Sequence, residues 1–115
     1  MISEEQDNIL KRAISQNGAE RQVEMVTEEF GELLQMMNKM QRKGLLLKTG
    51  YKRPYPEMSA ADCLLFFQFC SEIADVKILI RQLEYMVGAV GQEAIQISID
   101  RKITRLEERL NKNIQ

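Results

Sequence analysis

The chain has 115 residues, with 16 Lys+Arg against 17 Asp+Glu, two Cys, and neither His nor Trp. That length suits one domain, residues 1–115, able to bury a core without a disulfide or metal staple. The formal net charge of −1 argues against a general polyanion binder, so no nucleic-acid partner is expected. The missing histidine excludes HExxH zinc sites, Glu-x-x-His di-iron bundles and Ser-His or Cys-His nucleophile pairs. Any metal must then be held mainly by carboxylates, which favours a hard ion such as magnesium.

The chain opens with Met1-Ile2-Ser3-Glu4-Glu5, too polar for a signal peptide, and no apolar run is long enough to span a bilayer. A soluble, cytoplasmic protein with no membrane partner is expected. Cys63 and Cys70 are seven apart, two turns along a shared helix and too distant for a mutual disulfide. Buried free thiols are the expectation.

Gly18, the stretch from Gly44 to Pro56, and Gly88/Gly91 divide the chain into four segments of helical periodicity. The first runs from about Ser3 to Gln16. Ser3 and Gln6 offer a capping box, and Asn17-Gly18 a helix stop. The second runs from about Ala19 to Lys43, with Val23, Val26, Phe30, Leu33, Met37 and Met40 as its apolar stripe. A non-helical loop follows from Gly44 to Met58, carrying Lys48, Tyr51, Lys52, Arg53 and Tyr55.

The third segment starts at Ser59, an N-cap with Asp62 in the capping-box position, and runs to about Val87. Leu65, Phe66, Phe69, Ile73, Val76, Leu79, Ile80, Leu83 and Met86 give it a wide apolar face. The fourth runs from about Gln92 to Lys112, with Ile95, Ile99, Ile103, Leu106 and Leu110 in line. These patterns predict an all-α fold, a helical bundle built on a four-helix-bundle-like core of long amphipathic helices. The regular seam of the last helix predicts an oligomer, a homodimer or homotetramer.

Most acids fit solvated helix faces. Two pairs do not. Glu29 and Glu32, three apart, flank the edge of the second segment's stripe, while Glu28 projects toward its polar side. Glu72 falls inside the third segment's stripe, between Phe69 and Val76, with Asp75 at its edge. A carboxylate on a packing face is costly unless something offsets its charge. A buried ion pair from Glu72 to an Arg is one offset. A divalent cation shared by both pairs across antiparallel helices is the other.

The strings Glu28-Glu29-Phe30-Gly31-Glu32-Leu33 and Glu72-Ile73-Ala74-Asp75-Val76 resemble the EExxE…ExxD signature of the MazG-like, all-α nucleoside triphosphate pyrophosphohydrolases. Asn17-Gly18 and Gln22, the run through Gln82-Leu83 to Gly88, and the tail from Lys102 to Leu110 are also similar, so the resemblance covers about residues 9–110. It implies an oligomeric bundle that binds Mg²⁺, for which Mn²⁺ could substitute, and cleaves a nucleoside triphosphate to the monophosphate and pyrophosphate. It makes Glu29, Glu32, Glu72 and Asp75 the metal ligands. Glu28 or Glu29 would take the proton from the attacking water, Lys102 would contact phosphate, and Gln22 would reach substrate. Arg105 and Arg109 share a helix face with Lys102 and extend that candidate set. The stretch between the two acidic pairs is longer than is usual in that family. The excess is the loop from Gly44 to Met58, which bears on substrate preference. The alternative is a non-enzymatic helical interaction module whose apolar faces bind partners.

Overall fold

The computed structural model describes residues 1–45 and 59–114. Among these residues the fold is all-α, with four helices and no strand. They are α1 (Glu4–Asn17), α2 (Ala19–Arg42), α3 (Ala60–Met86) and α4 (Gly88–Ile114). The chain divides into two compact units, residues 1–82 and 83–115. From residue 46 onward, the expected loop and its Lys48, Tyr51, Lys52, Arg53 and Tyr55 lie outside the described residues. No helix among the described residues is long and apolar enough to cross a membrane.

Local chemistry sets the helix ends. Ser3 Oγ accepts from the Gln6 N–H at 3.1 Å, and Gln6 Oε1 accepts from the Ser3 N–H at 2.9 Å. This reciprocal capping box is followed by Glu4, Glu5 and Asp7 in the first turn, where the helix dipole favours acids. Gly18, at φ 84°, closes α1 by donating its N–H to Ile14 O, and α2 begins at the next residue. Ser59 Oγ accepts from the Asp62 N–H at 3.2 Å, which caps α3 as its sequence predicts.

The break between the last two helices is tighter than the glycine pair suggests. Gly88 alone takes the left-handed conformation, at φ 71°, and α4 starts there rather than at Gln92. Gly91 lies within α4's first turn. A Cβ at that position would collide with the Val87 side chain, so the close approach itself requires glycine.

In the first unit, α2 and α3 pack antiparallel. Met40, Leu45 and Leu65 form a buried cluster, flanked by Met36, Phe66 and Phe69. At the other end of the pair, Gln22 Nε2 donates to Gln82 Oε1 at 2.8 Å. Gln82 Nε2 in turn donates to Leu10 O at 3.3 Å, tying in α1. Arg81 makes a second link to α1, donating from Nε and Nη2 to the two Asp7 carboxylate oxygens. Cys63 is half-buried, but Cys70 is exposed, contrary to expectation, because it falls on the outer side of α3.

Candidate metal centre

The inward face of α2 differs from its most apolar face. Gln22, Val26, Glu29, Leu33, Met36 and Met40 are the buried or half-buried residues in one line, at spacings of four, three, four, three and four. Val23, Phe30 and Met37, expected in the stripe, are exposed. The helix is rotated so that two polar residues point inward. On α3 the corresponding line is Leu65, Phe69, Glu72, Val76, Leu79 and Gln82. Glutamine therefore meets glutamine at one end, apolar side chains meet at the other, and glutamate meets glutamate between them.

One carboxylate oxygen from each of Glu29, Glu32 and Glu72 lies within 4.8 Å of the other two. Glu29 and Glu72 are half-buried and Glu32 is exposed, so the trio opens to solvent on the Glu32 side. Oε2 of Glu29 and Oε2 of Glu72 are each shut off from water and have no hydrogen-bond partner among the described residues. No described Lys or Arg forms an ion pair with any of the three. Among these residues, the buried Glu72–Arg pair that would have neutralised the position is absent.

The electrostatic consequence is direct. Burial, followed by the negative charges of Glu32 and Asp75, pushes the Glu72 carboxyl above its ordinary value of 4.5. The same causes, in the same order, raise Glu29, and Glu72 adds a smaller push. Both groups lie near the surface, with a single inward oxygen on each removed from water. Like charges and partial dehydration thus favour a proton or a cation at this place.

Asp75 is half-buried one turn beyond Glu72 and contributes through its field rather than as a member of the trio. Glu28 stays on the polar side where its spacing places it, exposed and outside the trio, with Oε1 3.7 Å from Arg21 Nη1. Its neighbour Glu29 takes the inward direction, and successive helical residues diverge by about 100°. Gln22 is corrected. It is 1% exposed, and its amide donates to Gln82 instead of facing a ligand. Gln82, its partner, enters the sequence analysis only within the run that carries the resemblance. The signal for both was their place in line with Glu29 and Glu72. Lys102, Arg105 and Arg109 belong to the second unit, where all three are exposed on α4.

Comparison with known protein families, curated proteins and solved structures returns no match.

The donor set suits a hard divalent cation. It consists of oxygen ligands, carries a threefold negative charge, and includes two buried oxygens without a hydrogen-bond donor. Nothing in it would select a soft metal.

Proposed function

We propose that the chain is a Mg²⁺-dependent nucleoside triphosphate pyrophosphohydrolase of the MazG-like type. Convergence of Glu29, Glu32 and Glu72 with no compensating cation among the described residues carries this reading. The sequence resemblance supplies the reaction, because these residues occupy three of its four ligand positions.

Glu29, Glu32 and Glu72 would hold the ion, with Asp75 adding its charge beside them. When bound, Mg²⁺ supplies the positive field that draws a triphosphate to an acidic surface, activates water and offsets charge on departing phosphate. The protein's own groups do the rest. Glu29 is the proton acceptor that the resemblance implies, a carboxylate within the trio and so beside the attacking water. Glu28, on the exposed rim, is the second candidate for that role. Water adds across the α–β anhydride, its proton passes to the carboxylate, and pyrophosphate leaves. Lys102, with Arg105 and Arg109 on the same side of α4, is the phosphate contact that the resemblance implies, and it belongs to the second unit.

An oligomer belongs to the proposal. Phe30, Leu34 and Met37 on α2 and Leu64, Phe67 and Ile78 on α3 are all exposed apolar side chains, more than an isolated small domain commonly leaves uncovered.

The second reading, a helical interaction module, draws on the same exposed residues and on α4, which buries none of its described side chains. Product analysis by ³¹P NMR separates the two. Incubation of a panel of ribo- and deoxyribonucleoside triphosphates with Mg²⁺ is expected to yield monophosphate and pyrophosphate from at least one of them. Absence of turnover across the panel would overturn the hydrolase reading, and diphosphate with inorganic phosphate would overturn the site of cleavage.

A further inference from the structure

The second unit holds a long helix whose charges are sorted by side. None of α4's residues 88–113 is buried. Ile95, Ile99, Ile103, Leu106 and Leu110 nevertheless form one continuous stripe, each between 38% and 58% exposed. Eleven residues separate Ile95 from Leu106, and eleven separate Ile99 from Leu110. That repeat matches the natural helical period closely, so the stripe runs nearly straight along the helix. A helix that presents such a stripe gains most of its stability from what covers it.

The flanks identify the occupant. At about 100° per residue, one side of the stripe carries Glu93, Gln96, Asp100 and Glu107. Gln96 Nε2 donates to Asp100 Oδ1 at 2.9 Å, which places these two on the same side. The opposite side carries Lys102, Arg105, Arg109 and Lys112. No base interrupts the first flank and no acid interrupts the second. Arg101 and Glu108, which break the sorting in sequence, fall on the back of the helix.

We propose that α4 pairs with α4 of a second copy of this chain, parallel and in register, along the Ile95–Leu110 stripe. A two-fold axis running along the helices brings each acidic flank against the partner's basic flank, on both sides of the seam. An antiparallel pair would set acid against acid and base against base. The sorting therefore favours one orientation and penalises the other. Lys102 and Glu107 of the partner subunit, five residues further on, stand at the spacing of flanking ion pairs in parallel two-helix assemblies. A partner of different chemistry has no need for a surface that is its own electrostatic complement.

The proposal is independent of the metal centre, and its test reads mass and cross-linking rather than activity. In the full chain with Cys63→Ala and Cys70→Ala, single variants Ile99→Cys and Leu110→Cys are oxidised mildly and run without reductant. A parallel, in-register pair gives disulfide-linked dimer at both positions. An antiparallel pair can meet itself at no more than one of them, so dimer at only one position, or at neither, overturns the proposal. Analytical ultracentrifugation provides the second arm. Asp100→Lys with Glu107→Lys is expected to weaken dimerisation at least roughly tenfold at low salt, with helicity retained by circular dichroism. Mixing that variant with Arg105→Glu/Arg109→Glu is expected to restore a dimer. A monomeric wild type, an unchanged charge variant, or a mixture that stays apart would each overturn the pairing and leave the stripe to another occupant.

Discussion

Replacing Gln82 with Leu removes two interhelical hydrogen bonds in one step. Gln22 Nε2 loses its acceptor, and Leu10 O loses a second donor while keeping the Ile14 N–H of its own helix. Gln22 is 1% exposed and Gln82 is 4% exposed, so water cannot replace what is lost without opening the α2–α3 seam. The orphaned buried amide costs about 1–3 kcal/mol and the lost second bond to Leu10 O about 0.5–1.5 kcal/mol, and burying the leucine side chain offsets part of the sum, which leaves a net loss of about 1–3 kcal/mol. For a chain of this length that corresponds to a fall in Tm of about 4–12 °C. The double variant Gln22→Leu/Gln82→Leu behaves differently. Oε1 of Gln22 already lacks a partner among the described residues, and Leu10 O keeps the Ile14 N–H of its own helix, so removing both amides leaves no newly orphaned buried group. It is expected within about 1 kcal/mol of wild type. Thermal and urea denaturation of the two singles and the double give the coupling energy. A single Gln82→Leu variant as stable as wild type, or a double that loses the sum of both singles, would refute the reasoning. The pair also fixes the register that sets Glu29 opposite Glu72, so the stable double variant should show weakened stabilisation by Mg²⁺.

Three further outcomes follow from the same contacts. Glu29 and Glu72 sit above 4.5 in the folded chain, so between the unfolded and folded values the native state holds protons that the unfolded state has released, and stability falls as pH rises through that window. Glu72→Gln should therefore melt higher than wild type in EDTA near neutral pH and converge with it below about pH 4.5; a variant that melts lower at neutral pH would contradict this. Divalent-ion binding should release protons at mildly acidic pH, seen as a dependence of the calorimetric binding heat on the buffer's ionisation enthalpy; a buffer-independent heat would contradict it. Gly91→Ala should destabilise the chain by about 1–3 kcal/mol although alanine is the better helix former, because its Cβ strikes Val87. Adding Val87→Gly, which removes the Cβ that is struck, should recover part of that loss in thermal melts, and failure to recover any would place the strain elsewhere.

Capping and periodicity made the helices legible. Ser3 with Gln6, Asn17 with Gly18 and Ser59 all end helices where the sequence places them, because such signals act over a few bonds. The inward face of α2 was less legible. Apolar spacing favours Val23, Phe30 and Met37, yet tertiary packing turns Gln22 and Glu29 inward. A hydrogen bond to a glutamine sixty residues away makes one of those choices acceptable, and no local pattern announces it. Glu72 could be singled out because a lone acid between Phe69 and Val76 conflicts with its own stripe. Glu28 reads on the polar side of its stripe and is exposed there, because a helix sends adjacent acids in different directions. The start of α4 was misplaced because Gly91, which reads as a breaker, serves a close approach inside the first turn.

Whether the three carboxylates hold a divalent ion can be measured without any substrate. Titration of the full chain with Mn²⁺, followed by the loss of the free-ion EPR signal, is expected to show saturable binding that Mg²⁺ displaces. Glu72→Gln, which removes one of the three charges while keeping the side chain's size, should weaken that binding at least roughly tenfold. An unchanged free-ion signal on addition of wild-type protein, or equal binding by Glu72→Gln, would contradict the assignment of Glu29, Glu32 and Glu72 as a metal centre.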